Sequence, residues 1–267
     1  MAPSIDSFFD KQIADRWGPS RNEANALREL LQDKINLEEA ATRFTSDAAA
    51  ARSADKARGS LWGMWMLLQE TAKKFPEHHV KLVKLVDAIR QLPDVVIKGE
   101  TAVKWPELPQ MAEVWGENVY NRDELEYSEE NIAATAFTAQ LCASQLVDTN
   151  DFLSPAEYDF HAAFEKTPAA GLTVKGDDVR LLNVNVPIAA QWILHAGEVI
   201  YNCEESFKLE PRDGLWSGKP GFSWGRWKLW KERAEWVSSL KKVVRPETID
   251  AAKKMVERMS QIESQDA

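Results

Sequence analysis

The sequence predicts an all-α protein of about ten helices in antiparallel pairs, one globular or α-solenoid-like body, and two observations carry that expectation. Apolar residues recur at helical spacing along nearly the whole chain, whereas period-two alternation bounded by turn residues hardly occurs. Prolines and cap-forming Ser and Asn residues stand where these apolar stripes start or stop.

Ile5, Phe8, Phe9 and Ile13 form the first stripe, ended by Gly18-Pro19. Ala24, Leu27, Leu31 and Ile35 form the second. Asn36, with Glu39 three residues on, reads as a capping box before Leu37, Ala40, Ala41 and Phe44. Ser60 precedes Leu61, Trp65, Leu68, Ala72 and Phe75. Pro76 stops that helix and starts the next, which carries Leu82, Leu85, Val86, Ile89 and Leu92 as its antiparallel partner. The stretch 93–109 holds Gly99 and several prolines and is the candidate subdomain boundary in an otherwise single domain of residues 1–267. Trp105, set among those prolines, is expected to pack onto the body. A short helix near Met111–Tyr120 follows, then a long one opened by Ser128 with Ile132, Ala136, Phe137, Ala143 and Val147 inward. Ser154-Pro155-Ala156-Glu157 combines an N-cap, a proline at the first helical position and a glutamate at the third, so a helix is expected to start there. Residues 167–186 read as a lid or a connector. The last helices are expected over Pro187–Phe207, Ser223–Val244 and Pro246–Ile262.

Composition narrows the classes of function. The chain is 44% apolar and 28% charged, enough to bury a core. Its longest apolar run, Leu61–Leu68, falls far short of the roughly 20 residues of a bilayer crossing, and the amino terminus has no basic or apolar leader segment. No membrane partner is expected. Cys142 and Cys203 sit in apolar helical patterns and suit a reduced compartment, the cytoplasm in the first place with the nucleus left open. A net charge of −9 disfavours nucleic acid, whose affinity comes mainly from phosphate contacts. The stretch Lys208–Arg258 runs the other way, with thirteen Lys or Arg against seven Asp or Glu. That excess marks either an anion site or basic and acidic faces that complement each other. There is no His-Glu-x-x-His, Cys-x-x-Cys, phosphate loop, dinucleotide fingerprint or Gly-x-Ser-x-Gly, so neither a metal nor a cofactor is expected. The adjacent His78 and His79 would point about 100° apart on a helix and could not chelate one ion together.

The block Gly214-Leu215-Trp216-Ser217-Gly218-Lys219-Pro220-Gly221-Phe222-Ser223, followed by Arg226-Trp227 and Trp230-Lys231, resembles a large fungal family of helical proteins of unknown function. Ala189-Ala190-Gln191-Trp192-Ile193 and Trp105-Pro106-Glu107-Leu108-Pro109 extend the resemblance to about residues 100–260. It implies a fungal, intracellular origin and a helical fold. It transfers no catalytic residue; the frequent position of such proteins beside specialised-metabolite pathways points towards small-molecule chemistry.

The helix expected from Pro187 carries the candidate site. Gln191, His195, Glu198 and Asn202 fall in an arc of about 60°, on a helix otherwise apolar nearly all round. No Lys or Arg stands between Arg180 and Lys208, which disfavours a solvated face. A buried Glu198 needs a partner, since an unpaired one costs several kcal/mol, and His195 lies within i,i+3 reach of it. This is a general acid–base arrangement, or else a structural network or a partly solvated stripe. Trp227, Trp230, Ala234 and Val237 share one helix face, either core or an aromatic cage. Arg226, in the first turn after Ser223, could meet a carboxylate or phosphate or form a surface ion pair. His161, with Tyr158 and Glu165 around it, could face the same interior as His195.

Two functions are compatible with these residues. The first is a cofactor-independent acid–base enzyme or binder of a small organic molecule, performing isomerisation, cyclisation, dehydration or hydrolysis in a Trp-lined interhelical pocket. There His195 would shuttle the proton, Glu198 orient it, and Gln191, Asn202, Trp192, Arg226, Trp227 and His161 contact the substrate. The second is a helical scaffold or regulatory adaptor that binds protein segments without catalysis.

Overall fold

The structure is a computed structural model that describes residues 4–16, 18–119, 128–166, 174–203 and 214–265. Among these it is all-α, with twelve α-helices and one two-stranded hairpin. The chain divides into two units, Met1–Tyr120 and Asn121–Ala267. No described helix is long and apolar enough to cross a membrane.

The first unit comprises α1 (Ile5–Ala14), α2 (Arg21–Leu31), α3 (Leu37–Phe44), the single turn α4 (Ser46–Ala49), α5 (Ala54–Lys74), α6 (His79–Arg90), β1 (Val95–Ile97), β2 (Glu100–Val103) and α7 (Met111–Val119). Its core follows the predicted stripes, since Phe9, Leu27, Phe44, Trp65, Leu68, Leu82, Val86 and Ile89 are all fully buried. Ser20 and Glu23 form a complete capping box at α2, and Asn36 accepts from Glu39 N at α3. The helix expected from Ser60 starts seven residues earlier, because Ser53 accepts from Lys56 N and caps α5. Within 93–109, β1 and β2 pair antiparallel across Lys98-Gly99, both at positive φ (52° and 88°), the two-residue turn whose twist suits a hairpin. Trp105 is buried, and Trp65 Nε1 reaches the Pro109 carbonyl at 2.9 Å, which ties this stretch to α5 as expected.

The second unit comprises α8 (Glu129–Ala143), α9 (Thr149–Phe160), a five-residue π turn (His161–Glu165), α10 (Asp177–Tyr201), α11 (Trp224–Ser239) and α12 (Pro246–Gln265). Helix α10 is central and packs against α8, α9, the π turn and α12. Two starts differ from expectation. Asp148, accepting from Asn150 N, caps α9 six residues before Ser154, which leaves Pro155 inside the helix. An interior proline costs ~3 kcal/mol, but the added turn buries Phe152 and Leu153, and burial of two such side chains stabilises by about 3–6 kcal/mol. For the same reason α10 starts at Asp177 and runs through Pro187, burying Leu182, Val184 and Val186 on the way. Residues 167–173, the remainder of the expected lid or connector, and 204–207, the expected end of that helix, lie outside the described residues. Helix α10 breaks at Ala196 (φ −124°, ψ 17°), next to Gly197, whose missing side chain lets α12 approach.

Candidate functional site

The most organised polar cluster of the second unit is built on the π turn. In an unbroken α-helix Glu157 and Glu165 would point about 80° apart, and one widened turn sets later residues back by about 100°. The two carboxylates are thereby brought round towards one partner, Arg226. Ser223 accepts from Arg226 N, caps α11 and fixes Arg226 in its first turn. The guanidinium donates from Nε and Nη2 to the two oxygens of Glu165 at 2.7 and 2.9 Å, and from Nη1 to the Gly221 carbonyl at 2.7 Å and to Glu157 Oε1. Trp230 Nε1 adds a 2.7 Å bond to Glu165, and Gly221 N one of 3.0 Å to Glu157. Burial works to lower the Arg226 pKa, but the hydrogen bonds and charges of Glu165 and then Glu157 outweigh it and hold the guanidinium above its ordinary value.

The widened turn also leaves carbonyls to be taken from outside the helix. Leu215 N donates to the Glu165 carbonyl at 2.9 Å and Arg233 Nε to that of Phe164 at 3.1 Å. Gly214 permits the first contact, since a Cβ there would stand 2.8 Å from the Glu165 oxygen. Arg233, its guanidinium 4.0 Å over the Trp236 ring, is pushed by burial down to about 10, which still leaves it charged near neutrality. Around the cluster Phe160 stacks on Trp230 at 4.1 Å, and Phe222 meets that ring edge-on at 6.0 Å. With its donors turned onto its own chain's carboxylates, Arg226 acts as a clasp that fastens the 214–223 segment to α9 and α11.

Of the residues singled out from sequence, Arg226 forms this clasp and His161 stands in the π turn beside it. His161 is buried, its Nε2 lying 3.4 Å from where a Gly214 Cβ would be. Arg226 is 2% exposed, so its ion pairs are buried rather than superficial. Trp192 and Trp227 are buried as expected, donating to Asp159 and Glu263 at 2.8 Å each. The polar stripe of α10 lies elsewhere. His195, Glu198 and Asn202 are exposed and Gln191 is half-buried. Glu198 accepts from Arg258 of α12 at 2.8 Å, and Asn202 turns back onto the Glu198 carbonyl at 2.9 Å. His161 and His195 thus differ in environment, one buried and one in water. Among the described residues no group of three or more His, Cys, Asp or Glu could hold a metal ion.

Glu157 and Glu165 were missed as partners of Arg226. Glu157 reads from sequence as a helix-start residue and Glu165 only as a neighbour of His161, yet an arginine among buried tryptophans requires carboxylates somewhere in the apolar pattern.

A second feature lies at the start of α11. Trp224 is 51% exposed, with Tyr201 edge-on to it at 5.6 Å and the Lys228 ammonium 4.8 Å from its ring centre. Trp216 is wedged between two glycines, since a Cβ on Gly218 or Gly225 would stand 2.2 or 3.1 Å from its ring.

The second unit is thus that of a helical protein with a buried carboxylate–guanidinium clasp and an aromatic corner in water. The chain belongs to a protein family of unknown function (DUF3632), whose profile matches residues 65–234. The match starts at Trp65, upstream of the resemblance seen in the sequence, and takes in the whole clasp. Neither a curated protein nor a solved structure matches the chain.

Proposed function

We propose that the protein works as a helical adaptor, binding a segment of another protein at the aromatic corner of its second unit, with the cytoplasm as the expected compartment. The observation that carries this is Trp224, a large ring left half in water yet braced edge-on by Tyr201, with the Lys228 ammonium over its face. Exposed tryptophans held rigidly lose little entropy on binding and often anchor interfaces. The alternative of acid–base catalysis draws less support from the geometry. His195 and Glu198 lie in water and Glu198 is engaged by Arg258, whereas proton transfer gains most in a closed site that excludes water.

Selection of a displayed random-peptide library on the protein tests the proposal, with Trp224→Ala as the counter-target. Sequences that share a motif should be enriched on the wild type and lost on the variant. Absence of any enriched motif, or equal recovery on both proteins, would refute it.

A further inference from the structure

Resting on that reading, we infer that the bound segment is acidic, with an apolar or aromatic side chain as its anchor. Lys228 has its ammonium over the Trp224 ring and no carboxylate partner among the described residues. Lys219, exposed, stands three residues after the wedged Trp216, whose Nε1 donates to the Lys219 carbonyl at 2.9 Å. Cations nearby are already compensated, Lys231 by Glu263 and Arg258 by Glu198. Among the described residues, Lys228 and Lys219 are thus the cations left at the corner without a carboxylate partner, within the basic stretch of a chain whose net charge is −9.

An ammonium over an indole in water is held weakly, by ~0.5–1 kcal/mol, so Lys228 can turn to a partner carboxylate and open the ring face to an apolar side chain. Carboxylates flanking the anchor would pair with Lys228 and Lys219, steer encounter and make binding salt-sensitive.

The test uses the full chain and two dye-labelled synthetic peptides, each with a central Phe-Leu pair, flanked by Glu in one and by Lys in the other. Fluorescence anisotropy should show the Glu peptide binding at least about tenfold tighter at low salt, with the preference shrinking at high salt. Trp224→Ala should abolish binding, and Lys219→Glu with Lys228→Glu should reverse the preference while the circular-dichroism spectrum and Tm stay unchanged. If the Lys peptide binds as well or better and Trp224→Ala removes it, the acidic partner is wrong and the adaptor proposal stands. If neither peptide binds, or Trp224→Ala changes nothing, both fail. Two further outcomes overturn the inference by naming another occupant: Trp224-dependent binding to phosphatidylserine vesicles without peptide binding, and a Trp224-dependent dimer in sedimentation.

Discussion

Arg226 and Glu165 meet side-on, Nε and Nη2 each donating to one carboxylate oxygen, at 2.7 and 2.9 Å, with 3% and 2% of the two side chains exposed. The contact joins residues 61 positions apart and fastens α11 to the π turn. Burying these charges consumes much of what their attraction returns, so the pair acts mainly by making the alternatives costly.

Arg226→Met leaves two buried carboxylates without their cation and should destabilise the protein by ~3–5 kcal/mol, read as a fall in the urea midpoint at constant m. Arg226→Lys should also be destabilising, because a single ammonium cannot bridge both glutamates. Adding Glu157→Gln and Glu165→Gln to Arg226→Met should recover part of the loss, since the neutral amides remove the buried charges yet still accept from Gly221 N and Trp230 Nε1. A loss below about 0.5 kcal/mol in Arg226→Met would show that the clasp does not hold the unit together.

Gly197 and Ile262 make the tight contact between α10 and α12, where a Cβ on Gly197 would stand 2.6 Å from Ile262 Cδ1. Gly197→Ala should therefore cost ~1–3 kcal/mol, although alanine is the better helix former. Ile262→Val, which removes that methyl, should relieve part of the loss in the double variant. Strict additivity of the two changes would argue against the contact.

Glu23 is buried at the start of α2 and accepts from Ser20 N at 2.8 Å. Burial above all raises its pKa to about 7; the Ser20 N–H opposes that and the Asp47 charge adds to it. Since this folded value lies above the ordinary 4.5, the folded state holds the extra proton between the two. This part of the stability is present below the lower value, falls as pH rises through the window, and is gone above about 7. Glu23→Gln keeps an acceptor for Ser20 without a charge. It should exceed the wild type by ~1–3 kcal/mol above neutrality and converge with it in acid. Divergence towards acid instead would refute the burial argument.

Trp227 and Trp224 lie three residues apart on α11, one 2% and the other 51% exposed. Trp227→Ala should cost ~3–5 kcal/mol, from the cavity and from the lost bond to Glu263. Trp224→Ala should cost under about 1 kcal/mol while removing binding. Thermal melts of the two variants side by side check the contrast, and equal losses would mean that the corner is part of the core.

What depends on neighbours along the chain could be read directly from the residues. Helical periodicity marked the all-α class and the buried faces, including Trp65, Trp192, Trp227 and Trp230. The caps Asn36, Ser128 and Ser223 were legible because a cap bonds to a backbone N–H three residues away. Tertiary structure alone decided what depends on partners distant in sequence. The start signal at Ser154 lost to burial of Phe152 and Leu153, a gain that exists only once the second unit has packed. The α10 stripe, which lacks lysine and arginine of its own, lies in water because the flanking helices leave that side uncovered and α12 supplies Arg258 to it. The clasp was hidden for the same reason. Its members are separated by 61 to 69 residues, and the widened turn that brings the two glutamates together carries no local signature, so only packing of α11 against α9 shows that Arg226 has two carboxylates to hold.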